Sequence, residues 1–180
     1  ICFHKIENSK FRVSGILDKY ENLHIPLIGD HQFINGATAI GALEILHFHG
    51  YHISPEYIKS GLEKLKWPAR VEVIHHNPTV ILDVAHNAAS AKSLRDAIES
   101  NFTYEKLIIV IGTSLQKDVR GMGQHLCPIA DSLILTRADS PRAMSPEEVK
   151  SEISGICRDV VITSNVEEAI GKAKSMAGPK

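Results

Sequence analysis

The chain contains 180 residues, 43% of them hydrophobic, and carries a formal net charge of −1 at pH 7. This apolar content supports a packed core and excludes a disordered chain, while the near-zero charge offers no electrostatic attraction to nucleic acid or an anionic membrane. No apolar run approaches the roughly 20 residues that a membrane helix needs. We therefore expect a cytoplasmic protein that binds neither nucleic acid nor a membrane.

Four elements are predicted before residue 67. They are strands over residues 11–15 and 20–29, and helices over about 31–49 and 55–65. Asp30 is the expected N-cap of the first helix, and Gly50 is expected to end it. Pro68 disfavours helix in the residue before it, so we place a boundary near Lys66. Residues 1–66 are thus predicted to form a small α+β piece.

Beyond residue 66 strands and helices alternate. Strands are predicted over residues 71–76, 79–85, 106–112, 132–136 and 160–163, and helices over 88–100, 119–127, 146–154 and 166–176. The run TVILDVA is typical of a strand buried on both faces. Alternation at this spacing predicts an α/β, Rossmann-like domain over residues 67–180, with a mainly parallel sheet and helices on both faces.

Three polar loops follow strands of this predicted sheet. They cover residues 83–87, 112–118 and 136–143. Ligands of open parallel sheets bind beyond the carboxyl ends of the strands, where acids can accept ribose hydroxyls and cations can hold phosphate or carboxylate. An equally simple alternative is that Asp83 or Asn87 caps the helix that follows. Spacing alone leaves both possibilities open.

Neither the cysteines nor the histidines predict a metal site. The three cysteines are Cys2, Cys127 and Cys157, which lie far apart and outside any C-x-x-C pattern. We therefore expect reduced thiols, and we expect Cys127 to be buried and inert. Three histidines form the pattern H-x-H-x-x-H, at His47, His49 and His52. The first two are two residues apart on a helix and point to different faces, which favours surface histidines over zinc ligands. The chain contains neither a phosphate-loop motif nor G-x-G-x-x-G.

A set of motifs in a fixed order indicates that the chain resembles a known family. The chain contains five motifs in this order: LIGDHQFINGATAIGALEIL, WPARVEV, ILDVAHNAASAKSL, a glycine loop with Lys-Asp, and SPRA. The set resembles the folylpolyglutamate synthase/dihydrofolate synthase family of the Mur ligase superfamily, in which the pieces are approximately GxHQxxNAATA, WPGRxE, DGAHNP, a DKD loop and PRA. In this chain Ala69 replaces the glycine of the second piece, and Val84 and Ala88 replace the glycine and proline of the third.

The resemblance implies an ATP-dependent ligase. In the family a substrate carboxylate is phosphorylated by ATP with Mg²⁺, and the amine of glutamate attacks the acyl phosphate. The implied partners are a folate or dihydropteroate and L-glutamate. Residues 1–66 would then be the carboxyl end of the central ATPase domain without its P-loop, and residues 67–180 the C-terminal domain without its last strand. ATP and Mg²⁺ would be held mainly by the missing N-terminal ATPase region, so this fragment alone is expected to be inactive.

Site residues are carried over by motif position. The resemblance implies catalytic roles for His86 and Lys117. It implies substrate binding by Asp118 and Arg142. It implies nucleotide binding by five further residues: Asn35, Gln32, Arg70, Asp83 and Asn87. None is predicted to bind metal. Two alternatives remain open at this stage, another Mur-type peptide ligase and a non-catalytic α/β nucleotide-binding module.

Overall fold

The computed structural model describes residues 1–7 and 9–178. The chain divides into two compact units, Ile1–Glu72 and Val73–Lys180. Separate clusters of buried apolar side chains fill each unit. Each unit is described by itself below.

The first unit is a three-stranded antiparallel sheet with two helices. Its elements are β1 (Cys2–Glu7), β2 (Lys10–Ser14), β3 (Lys19–His24), α1 (His31–His47) and α2 (Pro55–Glu63). The sheet order is β1-β2-β3. Phe11 and Val13 alternate with exposed residues along β2 and are buried with Leu23 and Ile40. The two predicted helices and two predicted strands are confirmed. β1 was not predicted, because every side chain along it is exposed and no apolar alternation marks it.

The N-terminus of α1 differs from the prediction. Asp30 occupies the N-cap position, but its side chain makes no capping hydrogen bond. Its carboxylate instead accepts a hydrogen bond from the Lys5 ammonium at 2.7 Å. Asp30 thus occupies the predicted N-cap position, but its side chain binds Lys5 of β1 and does not cap the helix.

The second unit contains the predicted α/β alternation. Its elements are β4 (Glu72–His76), β5 (Thr79–Leu82), α3 (Ala88–Asn101), β6 (Ile108–Ile111), α4 (Val119–Leu126), β7 (Ser132–Leu135), α5 (Pro146–Glu152), β8 (Val160–Ile162) and α6 (Val166–Ala177). A short 3₁₀ turn, Cys127–Ile129, follows α4. β6, β7 and β8 form a parallel sheet in that order, and all four residues of the central β7 are buried. The predicted fold class is confirmed.

The strand before residue 83 is not part of this parallel sheet. β5 pairs with β4 in a two-stranded sheet, and the two strands are joined by Asn77-Pro78. Leu82 at its end is 46% exposed, and Ile74 on β4 is 54% exposed. The prediction that TVILDVA is a strand buried on both faces is therefore wrong. Its apolar composition matches a buried parallel strand, but its partner is the preceding hairpin strand.

The cysteines also differ from the prediction. Cys127 and Cys157 form a disulfide, with their Cα atoms 5.1 Å apart, whereas Cys2 is free and exposed. The expectation of reduced thiols, with Cys127 as an inert one, is wrong for this pair. Among the described residues, no helix has the length and apolar character needed to cross a membrane.

Candidate functional site

Two strand-end loops of the second unit are joined through their backbones. The Leu115 N–H donates to the Arg142 carbonyl at 2.8 Å, and the Met144 N–H donates to the Thr113 carbonyl at 2.9 Å. A β-bridge between Ser114 and Ala143 lies between these two bonds. The loop from β6 to α4, which carries Lys117, is therefore held against the loop from β7 to α5, which carries Arg142. Both cationic side chains are exposed at this edge.

The N-termini of α3 and α4 lie side by side next to these loops. A Cβ added at Gly121, in the first turn of α4, would be 2.8 Å from the Cβ of Ala88, the first residue of α3. The glycine thus permits a close approach of the two helix ends. The loops ending at Asn87 and Asp118 are neighbours for this reason, although β5 is not a strand of the parallel sheet. Five predicted residues lie on these loops: His86, Asn87, Lys117, Asp118 and Arg142.

Asn87 and Asp118 are both helix N-caps. The Asn87 Oδ1 accepts a hydrogen bond from the Ser90 N–H at 2.8 Å, and the Asp118 Oδ1 accepts one from the Gly121 N–H at 2.8 Å. The capping alternative is therefore confirmed for Asn87. Each cap satisfies one backbone donor that the first turn of a helix leaves open. Roles of these two side chains toward a nucleotide or substrate stay predictions.

His86 has a defined tautomer. Its Nδ1 lies 3.0 Å from the Val84 carbonyl oxygen, which can only accept, so Nδ1 carries the proton and donates. In the neutral ring this leaves Nε2 with a lone pair, able to accept a proton or a hydrogen bond. The imidazole is exposed, so Nε2 is reachable from solvent.

Ser90 orders the turn that carries His86 and was not predicted. Its Oγ accepts hydrogen bonds from the backbone N–H groups of His86 at 3.0 Å and Asn87 at 3.1 Å. With the Asn87 cap this makes a reciprocal capping box. The signal in the sequence was the pattern N-x-x-S at the start of the helix.

Asp83 follows β5 and is half-buried. Its Oδ1 accepts a hydrogen bond from the Ala85 N–H at 2.7 Å. This bond two residues along the chain forms a side-chain turn of the kind that aspartate favours. The carboxylate is therefore held in one orientation at the start of the His86 loop.

Two predicted residues of the first unit are linked on the first turn of α1. The Asn35 Nδ2 donates to the Gln32 Oε1 at 3.0 Å, and the Gln32 Nε2 lies 2.9 Å from the His31 Nε2. Gln32 is only 4% exposed, whereas Asn35 is exposed. These two contacts link His31, Gln32 and Asn35, so the buried Gln32 side chain orients the exposed amide of Asn35. Contact of this amide with adenine stays a prediction.

Arg70 lies in a tight turn of the same unit. Its guanidinium carbon is 5.9 Å from the centre of the Trp67 ring. Ala69 has φ +56°, in the left-handed region that favours glycine, and its N–H donates to the Glu72 Oε2 at 2.7 Å. This geometry explains the glycine of the family motif at the position of Ala69. Glu72 was missed as a positioning residue, although it is the final acid of the WPGRxE pattern.

The described residues include no group of three or more His, Cys, Asp or Glu side chains that could hold a metal ion. The side chains that would meet a nucleotide or an anion are instead amides, cations and single acids. Amides and cations of this kind can donate hydrogen bonds to phosphate or carboxylate oxygens.

Comparisons with known proteins point to one family. Residues 69–180 match the family described as "Mur ligase, glutamate ligase domain". The chain is 35% identical to the dihydrofolate synthase/folylpolyglutamate synthase of Bacillus subtilis over 138 residues, which cover 75% of the chain and 32% of that protein. It is 30% identical to the protein of the same name from Mycobacterium tuberculosis over 138 residues, covering 76% of the chain and 28% of that protein.

A solved structure has the same fold. It is the folylpolyglutamate synthase of Mycobacterium tuberculosis complexed with ADP and AMPPCP, with a TM-score of 0.83 and 28% identity. The match covers 93% of this chain and 37% of that one. The chain therefore spans about a third of the length of the curated relatives and of the solved structure that it matches.

Proposed function

Because the chain belongs to the Mur ligase family, with its glutamate ligase domain over residues 69–180, we propose that it is part of an ATP-dependent ligase that adds glutamate to a folate or dihydropteroate. The observation that carries the proposal is the joined pair of loops in the second unit. There Lys117 and Arg142 are exposed beside the adjoining N-termini of α3 and α4. Two cations and two helix ends suit a substrate with two carboxylates.

The proposed chemistry activates a poor electrophile. A carboxylate of the folate or dihydropteroate takes the γ-phosphoryl group of ATP, and the acyl phosphate formed has phosphate as its leaving group. The glutamate amine attacks the acyl carbon, the amide bond forms, and phosphate and a proton leave. Positioning and charge neutralisation are what a protein contributes to such a transfer.

Residues of the second unit supply these contributions in the proposal. The His86 Nδ1 is engaged as a donor, so its Nε2 can accept a proton from the ammonium group of glutamate and thereby free the amine that attacks. Lys117 neutralises negative charge at the reacting carboxyl group, and Arg142 holds a carboxylate of glutamate in a two-pronged contact. Asp118 adds a polar contact to the substrate, and Asn87 contributes amide donors near the phosphates.

Each unit by itself is proposed to carry side chains suited to a nucleotide. Asn35, oriented by Gln32, donates to the adenine. Arg70 binds the phosphates with its planar set of donors. Asp83, held by the Ala85 N–H, accepts from the ribose hydroxyls.

The main ATP and Mg²⁺ site is proposed to lie outside these 180 residues. The chain spans about a third of its curated relatives. Residues 1–66 are proposed as the carboxyl end of a central ATPase domain, and residues 67–180 as the C-terminal domain. Since ATP and folates are cytoplasmic metabolites, we also propose a cytoplasmic location.

The test is ligation by the complete protein that contains this chain. We expect Asp83→Ala and Arg70→Ala each to lower kcat/KM for ATP at least tenfold, about 1.4 kcal/mol of transition-state stabilisation. The measurement is ATP- and glutamate-dependent amide formation on a folate and on dihydropteroate. Asp96→Ala and Arg158→Ala change the same residue types at exposed positions and should leave the rate unaltered.

Two outcomes would contradict the proposal. Unchanged ligation by Asp83→Ala and Arg70→Ala would remove these residues from the nucleotide site. A complete protein that ignores folates but extends a cell-wall precursor would be another Mur-type peptide ligase. The same assay, run with both acceptors, separates these results.

A further inference from the structure

A pair of histidines meets at the end of α1. The Nδ1 atoms of His47 and His52 lie 3.2 Å apart, and the ring centres are 4.5 Å apart at an interplanar angle of 81°. Both side chains are exposed. The histidines that approach each other are therefore five residues apart, and not His47 and His49, whose spacing the sequence analysis considered.

The turn between the two histidines is fixed by its backbone. Gly50 has φ +86°, and its N–H donates to the His47 carbonyl at 3.0 Å. The Tyr51 N–H donates back to the Leu46 carbonyl at 3.2 Å. Such a glycine-centred reversal is a common way to end a helix. It returns the chain to the last turn of α1 and places His52 beside His47 without any bound ligand.

The separation of the two nitrogens suits a shared transition-metal ion. Zinc binds imidazole nitrogen at about 2.0–2.1 Å, so two ligands of one ion lie between about 2.9 and 3.4 Å apart, depending on the bond angle. The exposed rings can turn about their Cβ–Cγ bonds to direct both lone pairs to one point. In the present hydrogen bond one ring donates its Nδ1 proton, and this proton must move to Nε2 through solvent before that nitrogen can bind a metal.

The position in the fold also favours a cation. His47 belongs to the last turn of α1, where the unpaired carbonyl groups give the helix end partial negative charge. The described residues contain no third His, Cys, Asp or Glu close enough to complete a cluster, so water would fill the other coordination positions.

We propose that His47 and His52 form a two-ligand chelating site for a divalent transition-metal ion such as Zn²⁺ or Ni²⁺. Binding joins the C-terminal end of α1 to the segment that leads into α2 and so stabilises the helix end. The site is separate from the ligase chemistry proposed above and does not depend on it.

The test uses Zn²⁺ alone as the probe, on the complete protein without nucleotide. Calorimetric titration and thermal unfolding are compared for the wild type, His47→Ala, His52→Ala and, as a matched control, His49→Ala. We expect Zn²⁺ in excess to raise the melting temperature of the wild type and His49→Ala by a few degrees. The other two variants should lose this rise and bind at least tenfold more weakly.

Equal binding by all four proteins would overturn the proposal, because it would assign the metal to other histidines of the chain. Absence of binding by the wild type would overturn it as well. His52 lies outside the helix on an exposed segment, so His52→Ala should fold normally. That variant decides the question even where His47→Ala weakens the helix itself.

Discussion

Glu44 is a buried acid of α1 whose carboxylate accepts four hydrogen bonds. It is 3% exposed, and its carboxylate accepts hydrogen bonds from the backbone N–H groups of Ile16 at 2.6 Å, Leu17 at 3.1 Å and Asp18 at 3.1 Å. The Tyr20 hydroxyl donates a fourth bond at 3.1 Å. The carboxylate therefore holds the turn between β2 and β3 against α1. This role was not predicted, because Glu44 was expected only as one of the residues of the helix over about 31–49.

Replacement of this acid should destabilise the first unit. In Glu44→Gln one carboxylate oxygen becomes an amide nitrogen, which cannot accept, so at least one of the part-buried hydrogen bonds to the turn is lost. We expect a loss of about 2–3 kcal/mol in the free energy of unfolding at neutral pH, measured by urea denaturation. Glu63→Gln, at an exposed position near the end of α2, should change it by less than about 0.5 kcal/mol.

The effect should depend on pH. Burial raises the pKa of Glu44, but the three backbone donors and the Tyr20 hydroxyl together outweigh burial and lower this pKa from its ordinary value of 4.5. The folded state thus favours the ionised acid, which contributes stability above about pH 4.5 that is lost as the pH falls through the lowered pKa. The difference between wild type and Glu44→Gln should therefore shrink on acidification. A difference that stays constant down to pH 3 would contradict this account.

The residue-scale prediction of the site was partly possible. The motifs supplied the identities of Asp83, His86 and Asn87, but not the capping box, in which Ser90 binds the backbone of two of them. The same residue types follow a strand whether their side chains bind a ligand or cap the next helix, so the sequence does not distinguish the two roles. Only the geometry separates the two uses, and Asn87 shows that one side chain can cap a helix beside an exposed imidazole.

Elements were predictable where local signals were strong. Every predicted helix exists, and Ser145 and Glu148 form a capping box at the start of α5. β5 was assigned to the wrong sheet because an apolar run of a few residues has the same pattern in a hairpin and in a buried parallel strand. Strand partners are chosen by contacts distant in sequence, which the pattern of a single strand does not contain.

The contact between α3 and α4 provides a test at this scale. In Gly121→Ala the new Cβ would lie 2.8 Å from the Ala88 Cβ and would also meet the carboxylate of Asp118, which caps α4. We expect a loss of about 1–3 kcal/mol, because the two helix ends must move apart. Thermal unfolding of the complete protein measures it.

Gly171 is the matched control for that substitution. It lies within α6, and a Cβ added there would have no neighbour within 4 Å. Gly171→Ala should therefore stabilise the protein by up to about 1 kcal/mol, through helix propensity alone. Equal effects of the two substitutions would show that the approach of α3 to α4 does not depend on Gly121.

At the scale of the whole molecule, each of the two compact units carries some of the predicted site residues. Gln32, Asn35 and Arg70 belong to Ile1–Glu72, whereas the loops that carry His86, Lys117 and Arg142 belong to Val73–Lys180. The motif order along the sequence was enough to predict this family and fold. How close the groups come within each unit could not be predicted, because it depends on Gly121, on the bonds between two loops and on the turn around Ala69.

The 180-residue chain produced alone is expected to be inactive. It spans about a third of its curated relatives, and the main ATP site is proposed to lie outside it. Incorporation of labelled glutamate into a folate should therefore stay at background for this chain, while the complete protein turns over under the same conditions. Circular dichroism and a cooperative melting transition must first establish that the isolated chain is folded. Ligation by the folded chain alone would contradict the expectation and would locate a complete ATP site within these residues.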